Sequence, residues 1–228
     1  MAQNPIICAI DTLDIPKAKA LVAQIKPHVG AIKLGLEFFT ANGIKGVQEV
    51  AGDMPLFLDL KFHDIPNTVA GAIRATVGIN AFLLTVHAAG GFAMLKAAKD
   101  AAEALPNKPQ VVAVTVLTSL DTRDMAQIGY QPDTGEQALH LAKLAQNAGV
   151  DGIVCSPHEV ANIRAQWKDA ALVVPGIRPA GSDSGDQKRV LTPKEALEKG
   201  ASYLVIGRPI TEAPSPAEAA SHILASLN

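Results

Sequence analysis

The sequence predicts an α/β fold built as a single (β/α)8 TIM barrel over residues 1–228. Eight short apolar runs alternate with stretches of helical spacing. Each run is nearly continuous Val, Ile and Leu, as strands buried on both faces of a parallel sheet are. The length of 228 residues suits one α/β barrel of ~200–250 residues and leaves nothing over for a second domain.

The strands are expected at 5–11, 31–35, 56–61, 82–87, 111–118, 152–156, 171–177 and 203–207. Residues 15–25 carry the spacing of an amphipathic helix, and 135–148 repeat it. Three later helices announce their starts as Ser156-Pro157-His158-Glu159, Thr192-Pro193-Lys194-Glu195 and Ser215-Pro216-Ala217-Glu218. Each reads as a hydroxyl cap, proline at the first helical position and glutamate three residues on. Gly149 and Gly200 mark helix ends. A doubly wound sheet fits less well, because Asp11-Thr12-Leu13-Asp14 stands where a dinucleotide-binding glycine turn would follow the first strand. The one long irregular stretch is 176–190, GIRPAGSDSGDQKRV, of a length typical of a lid or binding loop.

Composition narrows the function. With 48% apolar and 18% charged residues, the chain fills a large core and is not intrinsically disordered. A net charge of −2 without a basic block, and only 4% aromatics, leave no electrostatic footprint or stacking platform for nucleic acid. No apolar run approaches the ~18–20 residues of a membrane span, and the N-terminus lacks the basic region of a signal peptide. A soluble, cytoplasmic protein is expected. Cys8 and Cys155 lie in apolar runs and read as small buried hydrophobes. No His-x-His, His-Glu-x-x-His or Cys-x-x-Cys spacing supports a metal.

Barrel active sites collect at the C-terminal strand ends. Here those ends carry Asp11, Lys33, Asp59 with Lys61, His87, Thr115 with Thr118, Ser156, Arg178, and Gly207 with Arg208. Charges inside apolar strands are the informative ones, because burying an unpaired charge is expensive. The two-residue strand period puts Asp59 and Lys61 on one face, with Asp64 just beyond. With Asp11 and Lys33 on neighbouring strands, these residues form an alternating array of anions and cations. Carboxylates on either side favour the ammonium form of Lys61, which suits a proton donor better than a Schiff-base lysine. Taken alone, Asp-x-Lys-x-x-Asp is equally well explained as a salt-bridge network at the barrel mouth.

A phosphate in such barrels often sits at the loops after strands seven and eight. Those places hold the 176–190 loop and Gly207-Arg208-Pro209-Ile210-Thr211. Glycine lets backbone N–H groups approach, and arginine grips phosphate through two N–H groups. Arg178, Gln187, Lys188 and Arg189 share the loop, and nothing local selects among them. His63 and His87 read as packing neighbours of the site, and His28, His140, His158 and His222 as solvated helix residues.

At 59–69 the run DLKFHDIPNTV resembles the orotidine 5′-phosphate decarboxylase family. The likeness continues in AID ending at Asp11, IKLG around Lys33, VHAAGG at 86–91, VTVLTS at 114–119, PGIRP at 175–179, GDQKR at 185–189 and IGRPIT at 206–211. It covers essentially the whole chain in the order of the family's short bacterial form. The resemblance implies conversion of orotidine 5′-phosphate to UMP and CO2 in de novo UMP synthesis, without metal or organic cofactor. It implies Lys61 as proton donor to pyrimidine C6 and Asp59 beside the departing carboxylate. Asp64, Ile65 and Thr68 would reach the partner subunit's site, so that a homodimer is the active unit. Asp11 and Lys33 would bind the ribose hydroxyls, and Thr118 the pyrimidine. Gln187, Gly207 and Arg208 would hold the phosphate, with Arg178 on the same closing loop.

Two other readings compete. A 3-keto-L-gulonate 6-phosphate decarboxylase shares Asp-x-Lys-x-x-Asp but uses Mg2+ and lacks the Ile65-Pro66-Asn67-Thr68 continuation. A non-catalytic nucleotide-binding barrel is disfavoured by the intact Asp59 and Lys61.

Overall fold

Alternation along the strands decides the architecture. In the computed structural model, which describes residues 4–130, 133–179 and 191–227, Ile6 and Cys8 of the first strand and Ile10 just beyond it join the large apolar layer between strands and helices. Ile7 and Ala9 point the other way, into a second cluster with Phe57, Leu83, Val112, Val173 and Val205 that fills the barrel. Both faces of each strand are therefore buried, which is why the runs read as continuously apolar.

The strands are β1 (Ile6–Ala9), β2 (Ala31–Gly35), β3 (Leu56–Phe62), β4 (Ala81–His87), β5 (Gln110–Val114), β6 (Gly152–Val154), β7 (Ala171–Val174) and β8 (Tyr203–Ile206). Each pairs in parallel with the next, and β8 returns to β1 through Cys8 opposite Ile206, so the barrel closes. Gly152 permits one of these approaches, since a Cβ there would lie 2.0 Å from the Ala171 carbonyl oxygen.

The helices are α1 (Ile15–Ile25), α2 (Leu36–Ala51), α3 (Pro66–Arg74), α4 (Gly91–Glu103), α5 (Thr122–Gln127), α6 (Thr134–Asn147), α7 (Val160–Gln166), α8 (Pro193–Glu198), α9 (Arg208–Thr211) and α10 (Pro216–Ala225). Helix α1 occupies the expected residues, its start fixed by the Asp14 carboxylate accepting from the Lys17 N–H. The α8 start is a full capping box between Thr192 and Glu195. The other two expected caps differ. Glu159 accepts from the Ser156 N–H, but α7 begins only at Val160. Ser215 precedes α10 without a side-chain bond to it. Gly149 and Gly200 follow α6 and α8 with φ of 79° and 104°, values that favour glycine.

Five strands are shorter than their sequence suggests: β1 ends at Ala9, β6 at Val154 and β8 at Ile206, and β5 and β7 stop further short. β5 stops at Val114 rather than 118, and residues 115–118 turn into the barrel mouth while Thr115 and Val116 stay buried. β7 stops at Val174 because Pro175 has no N–H to donate and Gly176 takes φ of 74°. Ile177 then makes only an isolated bridge to Leu191. Among the described residues no helix is long and apolar enough to cross a membrane.

Candidate functional site

At the C-terminal end of the strands lies a cavity of about 220 Å³. Its floor is the top of the barrel cluster, with Phe57, Val173 and Val205, and its polar wall is Lys33, Asp59, Lys61 and Thr118. Phe57, Asp59 and Lys61 follow one another at two-residue intervals on β3, so the strand that fills the barrel below also supplies the charges above.

Asp59 sits at the centre of these charges. Its Oδ2 accepts from Lys61 Nζ at 2.8 Å and lies 3.4 Å from Lys33 Nζ. Its Oδ1 accepts from the Thr85 hydroxyl at 3.0 Å. The three charged side chains are largely enclosed, with Lys61 the most exposed at 29%. Burial pushes the Asp59 carboxyl up, but Lys33 and Lys61 beside it, with hydrogen bonds from Lys61 and Thr85, hold it below the ordinary carboxylate range. The site therefore keeps a buried anion clasped by two lysines, both of which line the cavity.

Lys61 has a backbone that strand geometry does not predict. Its φ is 50°, in the left-handed region that side chains with a Cβ enter at a cost. The ladder slips at the same place. Leu58 pairs with Leu84 and Phe62 with Val86, so β3 spends four residues where β4 spends two.

The array expected from sequence forms only in part. Lys33, Asp59 and Lys61 come together; Asp11 and Asp64 do not join them. Asp11 is exposed and makes no ion pair with Lys33, since its place at the β1 end lies beside Gly207 instead. A Cβ on Gly207 would lie 3.4 Å from Asp11 Oδ2. Asp64 makes no ion pair with Lys61, and its Oδ1 accepts from the Ile65 N–H at 2.6 Å. Asp64, Ile65 and Thr68 are all exposed at the start of α3, Ile65 to 67%.

Thr118 lines the same cavity. Arg208 opens α9 and is exposed. The Arg178 guanidinium donates to the Ile177 carbonyl at 3.0 Å. Gln187, Lys188 and Arg189, with most of the expected 176–190 loop, lie outside the described residues. Among the described residues no group of three or more His, Cys, Asp or Glu could hold a metal ion.

His63 and His87 stack loosely, with ring centroids 5.3 Å apart. Burial, then the neighbouring His63 and Lys61, hold the His87 imidazole below its ordinary value. Both cysteines are buried thiols. Burial, reinforced by Asp11, pushes the Cys8 thiol up to about 12, so Cys8 acts as the small hydrophobe its sequence context suggests. Sequence reasoning passed over Thr85. A threonine inside an apolar strand reads as an ordinary β-former, and only its partners reveal it.

The chain is matched from residue 4 to residue 223 by the model of the Orotidine 5′-phosphate decarboxylase / HUMPS family. It is 55% identical to a protein of Paramagnetospirillum magneticum named orotidine 5′-phosphate decarboxylase, over 98% of both chains. It is 53% identical to one of the same name from Rhodospirillum rubrum, over 100% of this chain and 95% of that one. The crystal structure of orotidine 5′-phosphate decarboxylase from Lactobacillus acidophilus superposes with a TM-score of 0.87 at 37% identity, covering 99% of each chain.

Proposed function

Because the chain belongs to the orotidine 5′-phosphate decarboxylase / HUMPS family, we propose that Lys61 is the proton donor in its decarboxylation of orotidine 5′-phosphate to UMP and CO2. That decarboxylation is a step of pyrimidine biosynthesis, and the chain carries it out as a carboxy-lyase on a TIM barrel.

The observation that carries the assignment is Lys61 itself. Its amine is 2.8 Å from Asp59 and opens onto the cavity. Loss of CO2 from C6 of the pyrimidine leaves an electron pair in an sp2 orbital with little resonance relief. Stabilising that charge calls for groups already in place before the bond breaks. The Lys61 ammonium, tethered to Asp59, is such a group, and it delivers its proton to C6 as the C–C bond cleaves. Asp59 lies beside the departing carboxylate, and Thr118, in the lining of the same cavity, contacts the pyrimidine. Lys33 and Asp11, on adjacent strand ends, bind the ribose hydroxyls. Gly207 and Arg208, with Gln187, hold the phosphate. Arg178 belongs to the loop that closes over the phosphate, so remote binding energy is spent on ordering the site.

The active unit is a homodimer in the cytoplasm. Of the eight exposed large hydrophobics among the described residues, six, Leu13, Leu36, Ile65, Phe92, Leu117 and Ile128, follow the C-terminal ends of the first five strands. An apolar rim of this kind on the catalytic face marks an association surface. Asp64, Ile65 and Thr68 stand on that rim and reach the partner's site. Two buried thiols and no disulfide agree with a reducing compartment.

No metal takes part in this chemistry. The test is loss of orotidine 5′-phosphate absorbance followed with and without EDTA. Equal rates support the assignment, and activity abolished by EDTA and restored by Mg2+ would overturn it.

A further inference from the structure

We propose that Thr85 is a positioning residue for the decarboxylation, holding both ends of Lys61 through a single hydroxyl. The inference rests on Lys61 being the proton donor.

Thr85 lies on β4 opposite Val112 and is fully buried. Its Oγ accepts from the Lys61 backbone N–H at 2.8 Å and donates to Asp59 Oδ1 at 3.0 Å. Both directions are fixed. A backbone N–H can only donate and a carboxylate can only accept, so the hydroxyl proton belongs to Asp59. The other oxygen of Asp59 takes the Lys61 amine at 2.8 Å. The bonds therefore close a ring that runs from the Lys61 backbone through Thr85 and Asp59 to the Lys61 amine.

This ring forms where the sheet cannot hold Lys61. β3 carries two more residues than β4 between its pairings at Leu58 and Phe62, which interrupts the ladder. The Lys61 N–H then needs another acceptor, because a buried backbone donor left unpaired is costly. Thr85 supplies one, and in doing so holds Lys61 at φ of 50°. A β-branched side chain suits the role, since its χ1 is stiff and fixes where the oxygen points. Without the hydroxyl, Lys61 loses its backbone anchor and Asp59 loses one of its orienting bonds. The amine would remain in the site but not in one place.

The test compares Thr85→Val, which keeps the shape and removes the hydroxyl, with Thr85→Ser, which keeps the hydroxyl. Thr85→Val should lower kcat on the order of 10- to 100-fold, the range for losing a hydrogen bond to a charged group. Its KM and its affinity for UMP should stay within about threefold, because phosphate and ribose contacts are untouched. Thr85→Ser should keep kcat within about threefold of the parent. A Thr85→Val enzyme with parental kcat, a defect confined to KM, or a Thr85→Ser enzyme as slow as Thr85→Val would overturn the proposal. If Thr85→Val does not fold by circular dichroism, Thr85→Ala replaces it, and equal kcat for the Ala and Ser variants overturns the proposal. Lys61→Ala is measured alongside. An inactive Lys61→Ala beside an unimpaired Thr85→Val would sink the role of Thr85 alone, whereas parental turnover by Lys61→Ala would sink the proton-donor assignment and Thr85 with it.

Discussion

Lys61 combines a proposed role as proton donor with a left-handed backbone, and replacing it by alanine and by glycine separates the two. Both changes delete the amine, so both should abolish turnover. Their stabilities should differ. An L-residue in the left-handed region costs about 1–2 kcal/mol, and Lys61 sits there with φ of 50°. Alanine keeps that cost and glycine removes it. Glycine also gives the unfolded chain more freedom, which takes back about 0.4–1 kcal/mol. Lys61→Gly should therefore be more stable than Lys61→Ala by about 0.8 kcal/mol, the difference between the midpoints of these two ranges. Loss of the ion pair is common to both. It cancels between the two variants, which each leave Asp59 with Lys33 at 3.4 Å and the Thr85 bond at 3.0 Å. Urea titration followed by fluorescence of Trp167, the single and buried tryptophan, reads the difference. A Lys61→Ala protein as stable as Lys61→Gly would refute the claim that the site stores backbone strain at its proton donor.

Arg208→Ala should raise KM by on the order of 10-fold or more, as expected for losing charge-assisted phosphate bonds; an unchanged KM removes Arg208 from the phosphate site. Asp64→Asn and Lys61→Ala subunits, each inactive alone, should recover activity when mixed, because each heterodimer contains one intact site. A verified heterodimer without activity would show that Asp64 serves its own chain. Acid stability should depend on Asp59. Its carboxyl is held below the ordinary 3.8, so its contribution is full above the unfolded value and is lost as pH falls through the lower folded one. Asp59→Asn should therefore flatten the acid limb of a stability–pH curve below about pH 4, and a limb as steep as the parent's would contradict the charge assignment.

The barrel was legible because burial on both faces leaves a plain mark: continuous apolar runs separated by helical stretches. What blurred was where each strand stopped. Residues 115–118, Thr-Val-Leu-Thr, read as β-formers, yet 116–118 line the barrel mouth and do not extend the ladder. Pro175 was a stop signal inside the expected seventh strand, and the apolar Ile177 beyond it hid the stop. The Asp59–Lys61 pair was readable from spacing, since a carboxylate and an amine two residues apart on one strand must share a face. The left-handed backbone of Lys61 was not, because it arises from a register slip against β4 that no local pattern records. Thr85 was invisible for a related reason. Its role depends on partners 24 and 26 residues away. Asp64 belonged to the motif in sequence yet stands apart from it in space, its Oδ1 accepting from the Ile65 N–H.

The most direct test of Lys61 as proton donor is a crystal structure with UMP bound. The amine of Lys61 should lie within about 3–3.5 Å of pyrimidine C6, the reach needed for direct proton transfer. An amine more than about 5 Å from C6, or a divalent ion standing in its place, would contradict the account.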